Sequence, residues 1–325
     1  MRLGLLDIGS TAARVEIVEL DRSRMPKADW SVKAKTKLAE HTGGDGVVTE
    51  RGIEQAVRAV RRCVRAAAAE QPDVLVAFGT SAVRDAVNGA ELRCRLAEAA
   101  GTRIGVLSPR DEAAVTYCAA RRWHGRPGSL MTTVDIGGGT IDVAAGTADE
   151  PDDVVTLPCG AARLTRQYLP DDPPAPEQLA ELDAVLGQRL PAALHPFAGR
   201  DLGHPLALSS VLRQLAVLSE STGTDVVRHP IRLRRDRLAP WIDRLAVLDK
   251  AQRAALPGVS RSRARRILAG AVVAERTLRC IGVEELEICP WGLREGLVFR
   301  FGEAYREGWP EPRVAVKGMA SALFA

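Results

Sequence analysis

The stretch Thr132-Thr133-Val134-Asp135-Ile136-Gly137-Gly138-Gly139-Thr140-Ile141-Asp142-Val143 decides how this chain is read. An apolar residue leads into an acid, three glycines follow, then a hydroxyl, then a second β-branched run. That order predicts a β-hairpin with a carboxylate at its bend. Three glycines remove the Cβ atoms that would hold an anion away from the main chain, and they permit conformations that aim successive N–H groups at one anion. Asp135 at the strand end suits the hydrated Mg²⁺ that a polyanion carries with it.

A weaker copy lies at the N-terminus. Leu5-Leu6-Asp7-Ile8-Gly9-Ser10-Thr11-Ala12-Ala13-Arg14-Val15 aligns without a gap to residues 133–143, so that Asp7 matches Asp135 and Gly9 matches Gly137. Either copy alone reads equally as an ordinary tight hairpin. Together they predict two similar domains facing each other across a cleft, each offering one carboxylate and one glycine loop.

A chain of 325 residues is long enough for two domains with separate cores. Hydrophobic content of 46% and charged content of 26% are those of a globular protein. No run approaches the ~18 apolar residues of a membrane span, and Asp7 interrupts the one candidate signal-peptide core, so a cytoplasmic protein with no membrane partner is expected. Cys63, Cys94, Cys118, Cys159, Cys280 and Cys289 are scattered without zinc spacing and are expected to be buried free thiols. Arginines gather at Arg121-Arg122, at Arg228, Arg232, Arg234, Arg235 and Arg237, and at Arg261, Arg263, Arg265 and Arg266. Guanidinium groups suit phosphate oxygens, so these clusters read either as a track for an extended polyanion or as solvated helix faces. Aromatic content of only 4% offers no stacking platform for nucleic acid.

Short strands are expected at 2–8, 14–20 and 30–38, then a helix in which Ile53, Val57, Val60 and Val64 recur at helical spacing, then a buried strand at 74–78. Asn88 with Glu91 reads as a capping box for the next helix. Ser108-Pro109-Arg110-Asp111-Glu112 opens another, with Ser at the N-cap, Pro at the first helical position and acids in the first turn. From the residues alone Glu112 is explained by the helix dipole. Residues 125–128 suggest a domain junction. The hairpin and a third strand at 154–157 then start a second domain, with helices at about 177–190, 211–218 and 260–281, a last strand at 287–289 and a terminal helix from 291. The amphipathic segment 260–281 suits either a core or an interface. Three strands followed by helix, strand and helix, seen twice, is the order of a pair of ribonuclease-H-like domains.

With these blocks the chain resembles the exopolyphosphatase and guanosine-pentaphosphate phosphohydrolase (Ppx/GppA) family of the actin-like ATPase and sugar-kinase superfamily. The resemblance rests on Asp7-Ile8-Gly9-Ser10, on residues 79–88, on Leu107-Ser108 with Asp111-Glu112-Ala113, on Asp135-Ile136-Gly137-Gly138-Gly139, on Leu157-Pro158 with Gly160-Ala161 and Arg163-Leu164-Thr165, and on Gly292-Leu293-Arg294-Glu295-Gly296-Leu297. It implies an α/β fold of two ribonuclease-H-like domains at 1–125 and 126–298, with a tail at 299–325 that packs back on the first. It also implies a homodimer of the short, two-domain type. By the resemblance, Asp7, Asp135 and Asp142 position Mg²⁺, and Glu112 is the general base that orients the attacking water. Arg84 grips a phosphate, and Gly9, Ser10, Thr11, Gly137, Gly138, Gly139 and Thr140 bind the terminal phosphoryl group.

Several positions depart from the family pattern. Thr11 and Ala12 replace an amide and a hydroxyl donor, Thr140 and Asp142 stand where serine and glutamate are usual, and Pro109 or Arg110 stands where a glycine usually precedes the acids. Ser209-Ser210-Val211-Leu212 replaces a Gly-x-Ala-Thr stretch. The expected activity is Mg²⁺-dependent hydrolysis of terminal orthophosphate from inorganic polyphosphate. The alternatives are a guanosine pentaphosphate 5′-phosphohydrolase and a catalytically weakened protein that senses polyphosphate or guanosine tetraphosphate.

Overall fold

A computed structural model of the chain describes residues 1–22, 27–220 and 230–324. The polypeptide divides into two units, residues 1–112 with 294–325, and residues 113–293. The expected junctions at 125/126 and 298/299 therefore differ from the observed ones, and residues 294–298 belong with the first unit.

In the first unit, β1 (Arg2–Ile8) is nearly continuously apolar, as a central strand covered on both faces requires. It pairs antiparallel with β2 (Ala12–Glu19), which pairs antiparallel with β3 (Lys27–Lys35). On the other side lie the parallel strands β4 (Val74–Gly79) and β5 (Ile104–Val106), giving the order β3-β2-β1-β4-β5. Helix α1 (Glu50–Ala68) lays the expected stripe of Ile53, Val57 and Val60 against this sheet, each such burial contributing roughly 1.5–3 kcal/mol. Thr49 caps it by accepting from the Gly52 N–H at 3.2 Å. The short helix α2 (Ser81–Arg84) and α3 (Gly89–Ala100) follow β4. The capping box expected at Asn88 is not formed. The Asn88 amide instead bonds both ways with the Val48 backbone, at 2.9 Å each, and so ties the 41–48 loop to the start of α3.

Helix α4 (Pro109–His124) begins in the first unit and carries the chain into the second. There β6 (Met131–Ile136), β7 (Ile141–Gly146) and β8 (Asp153–Leu157) repeat the antiparallel meander. Helices α5 (Ala161–Tyr168) and α6 (Pro176–Leu194) lead to β9 (His204–Ala207), which is parallel to β6. After α7 (Ser210–Glu220) come β10 (Arg232–Arg234), α8 (Arg235–Ala246), α9 (Lys250–Ala254), α10 (Ile267–Ile281) and β11 (Glu285–Ile288). The sheet order β10-β11-β9-β6-β7-β8 is the first sheet's order with one antiparallel strand added at the far edge. Both units thus have the ribonuclease-H-like topology.

Helix α10 settles the ambiguity of residues 260–281. It is buried around most of its circumference, so it is a core helix of the second unit. It packs so tightly on α7 that a Cβ at Gly270 would lie 2.5 Å from Val211. The last helices, α11 (Leu293–Glu307) and α12 (Pro312–Leu323), complete the first unit, where Phe324 stacks on Phe78 with ring centroids 5.7 Å apart. Cys63, Cys118, Cys159 and Cys289 are buried free thiols as expected, whereas Cys94 is exposed and Cys280 half-buried. Among the described residues no helix is long and apolar enough to cross a membrane.

Candidate active site

The gapless alignment of the two Asp-x-Gly stretches is realised bond for bond. In the first unit Asp7 lies opposite Arg14 and Ile8 opposite Ala13, with the Gly9 N–H donating to the Ala12 carbonyl at 3.0 Å. In the second, Asp135 lies opposite Asp142 and Ile136 opposite Ile141, with the Gly137 N–H donating to the Thr140 carbonyl at 2.9 Å. Each bend is closed by main-chain bonds alone, so Thr11 and Ala12 do not alter its shape.

What holds the bends differs. The carbonyls of the first are tied back by the segment after β3. Thr36 and Lys37 N–H donate to Thr11, the Ala39 N–H to Ser10, and the Thr36 hydroxyl to Gly9 at 2.8 Å. In the second, the carbonyls of Gly137, Gly138 and Gly139 accept from the opening N–H groups of α5, those of Ala161, Ala162, Arg163 and, just before the helix, Gly160. The α5 N-terminus, which could otherwise hold an anion itself, instead fixes the loop. With every glycine carbonyl engaged, the N–H groups of Gly138 and Gly139 have no protein partner among the described residues. Two adjacent free amides on an anchored turn are donors available to an anion, without the positive φ that the three glycines would also permit. Gly160 is obligatory here, because a Cβ on it would lie within 2.5 Å of Gly138 and Gly139 main-chain atoms.

Arg84 and Glu112 are brought together in the first unit. Ser108 caps α4 as expected, accepting from the Asp111 N–H at 3.1 Å, and the first turn then directs Glu112 onto the Arg84 guanidinium in a short ion pair. Arg84 also donates to Asp85 at 2.9 Å and to the Leu107 carbonyl at 3.2 Å, while its Nη2 is buried without a partner. Burial pushes the Glu112 carboxyl above its usual range, opposed by the Arg84 charge. A dipole-stabilised surface carboxylate would have neither feature.

Asp7 is 23% exposed, and its Oδ1 is buried with no hydrogen-bond partner. Burial raises its pKa to about 6, with Arg294 opposing and the charges of Glu112 and Glu16 adding to the rise. Neither Glu16 nor Arg294 stood out as a site residue in the sequence. The available signal was an acid at an inward position of an otherwise apolar strand, Val15-Glu16-Ile17-Val18. In the second unit the Thr140 hydroxyl donates to Asp142 at 3.2 Å, so Thr140 orients that acid as well as closing the turn.

These carboxylates fit a hard divalent cation. An orphaned buried oxygen on Asp7 and two acids directly opposite each other at 135 and 142 both call for positive charge. Among the described residues no group of three or more His, Cys, Asp or Glu side chains forms a closed metal cage. Mg²⁺ needs none, since it is held by one or two carboxylates, waters and substrate phosphates.

The arginine clusters are mostly structural. Arg121 is buried and donates to the Ser129 and Gly146 carbonyls and to the Tyr117 hydroxyl, each at 2.6 Å. Arg265 binds the carbonyls of Leu169, Pro170 and Asp171. Arg122, Arg232, Arg234 and Arg235 pair with Asp149, Glu285, Asp236 and Glu284. Arg228 lies outside the described residues. These six arginines are engaged by carbonyls and acids of the fold.

Residues 26–303 match the model of the Ppx/GppA phosphatase family. The chain is 37% identical over 316 residues to Exopolyphosphatase 1 of Mycobacterium tuberculosis, covering 95% of this chain and 90% of that protein. It is 35% identical over 315 residues to Exopolyphosphatase 1 of Mycobacterium leprae, covering 95% and 91%. Its fold is similar to that of an exopolyphosphatase from Cytophaga hutchinsonii, with a TM-score of 0.80 at 18% identity over 93% of this chain and 98% of that one. The family model spans well over half of the chain, and the chain belongs to the Ppx/GppA phosphatase family.

Proposed function

We propose that this protein is an exopolyphosphatase that releases terminal orthophosphate from inorganic polyphosphate by attack of water. The observation that carries this reading is the half-buried Glu112–Arg84 pair, with one guanidinium nitrogen, Nη2, still without a partner. Two relatives identical to the chain at more than a third of the aligned positions are exopolyphosphatases by name.

Phosphoryl transfer asks the protein for positioning and charge stabilisation more than for covalent chemistry. In the second unit the free N–H groups of Gly138 and Gly139 offer donors to phosphate oxygens, and in the first unit Arg84 offers its own. Glu112 accepts a proton from the attacking water. A phosphate oxygen that draws the guanidinium toward itself weakens its hold on Glu112 and strengthens the base at the moment it is needed. Asp7 in the first unit, and Asp135 and Asp142 in the second, are the carboxylates each unit would offer to Mg²⁺, which when bound would neutralise charge on phosphate oxygens.

Orthophosphate release from short and long polyphosphate, with and without Mg²⁺, tests the reading when wild type is compared with Glu112→Gln. Release that needs both metal and Glu112 supports it; binding without release moves the protein to the sensor class. Hydrolysis of guanosine pentaphosphate is the second enzymatic reading, and product analysis with that nucleotide separates the two. Against it, the Ser209 hydroxyl, in the stretch that departs from Gly-x-Ala-Thr, caps α7 by accepting from the Leu212 N–H. The family resemblance also supports a cytoplasmic homodimer, which sedimentation of the purified protein and cell fractionation test.

A further inference from the structure

Asp7 has two arginines within reach and bonds tightly to neither. Arg14 is its cross-strand neighbour, and Arg294, from the first turn of α11, places its Nε 3.8 Å from Asp7 Oδ2, beyond hydrogen-bond distance. Both guanidinium groups are drawn to Glu16 instead. Arg14 Nε lies 2.8 Å from Glu16 Oε1, and Arg294 Nη1 makes a short ion pair with the same oxygen. Glu16 is 6% exposed, on the face of β2 that carries Arg14. Arg14 is held further by donating to the Ser31 hydroxyl at 3.2 Å.

We propose that Glu16 is a positioning residue that holds Arg294 off Asp7 and so keeps the Asp7 oxygens open for a divalent cation. Guanidinium and carboxylate prefer a two-point, charge-assisted contact. Without a competing acid, Arg294 turns a few ångströms and closes on Asp7 in that geometry, excluding the cation. Glu16 thus acts through Arg294. The inference rests on the reading of Asp7 as a cation ligand.

The test is a double-mutant cycle on the full-length, metal-free protein, reading Mn²⁺ affinity by calorimetry without substrate. It uses wild type, Glu16→Gln, Arg294→Met and the double variant. Glu16→Gln is expected to weaken Mn²⁺ binding about tenfold in the wild-type background and less than about twofold in the Arg294→Met background, since the guanidinium that closes on Asp7 is then absent while Arg14 stays tied to Ser31. Equal losses in both backgrounds overturn the proposal, because a long-range charge effect is additive whereas capture by Arg294 is not. If Glu16→Gln does not fold, Glu16→Asp, which keeps the charge but holds the guanidinium less well, takes its place in the same cycle: a loss confined to the background with Arg294 supports capture, and equal losses in both backgrounds refute it. Wild type that binds no Mn²⁺ removes instead the underlying reading of Asp7, and the two failures are told apart.

Discussion

The two Asp-x-Gly hairpins share one backbone and differ in one charge. In both, the acid stands in the same register, and in both a glycine N–H closes the bend on the residue three positions on. In the first, the residue opposite the acid is Arg14; in the second it is Asp142. The first therefore has a positive charge opposite its acid, while the second sets two acids against each other. Main-chain pairing reproduces a shape, and a single cross-strand side chain then decides what the shape can bind.

The largest expected break in this symmetry is at Glu112, the base proposed for the first unit. Glu112→Gln keeps the side-chain volume and a bond to Arg84 but cannot take a proton, so orthophosphate release should fall by roughly 10²–10⁴-fold, the usual worth of general-base catalysis, with polyphosphate binding retained. Loss of binding together with turnover would point to a merely structural pair.

Next in size is the pH response of the first hairpin. The folded protein holds the Asp7 proton up to about pH 6, whereas the unfolded chain releases it near 3.8. Between these values the folded state binds more protons, so metal-free stability declines as pH rises from about 4 to 6 and is level above, by on the order of 2–3 kcal/mol. Asp7→Asn should flatten this slope in urea titrations of metal-free protein, and an unchanged slope would assign it to another group.

In the second hairpin the anchor on α5 is the sensitive point. Gly160→Ala forces its Cβ against the main chain of Gly138 and Gly139 and should cost about 1–3 kcal/mol in urea denaturation. It should also raise KM for polyphosphate, because it displaces the turn that carries the free N–H groups. The smallest effect is the most direct comparison. Asp142→Asn removes the like-charge opposition to Asp135 and should stabilise the metal-free protein by about 0.2–1 kcal/mol while lowering activity, whereas Arg14→Gln removes an attraction and should destabilise by a similar amount. Thermal melts that move in the same direction for both variants would end the distinction drawn between the hairpins.

Much of this was legible in one dimension because it is local. Strand and helix periods, the Ser108 cap, the paired glycine turns and the acids at their bends follow from φ/ψ preferences and side-chain alternation within a few residues. Asn88 was misread for the complementary reason: its amide had two possible partners, and the one it takes, the Val48 backbone, lies forty residues back in the chain. Arginine clustering misled in the same way. An exposed guanidinium and one that binds three main-chain carbonyls look alike in sequence, and Arg265 is the second kind.

The sequence by itself determined the duplicated hairpin, the chemistry offered at each bend and the family to which the chain belongs. Only the tertiary structure decided that the α5 N-terminus anchors the second glycine loop, that Arg84 and Glu112 are partners, and that Arg294 pairs with Glu16 beside Asp7. The physical reason is separation along the chain. Arg294 and Glu16 are 278 residues apart, and no local propensity reports which of two acids a distant guanidinium will choose.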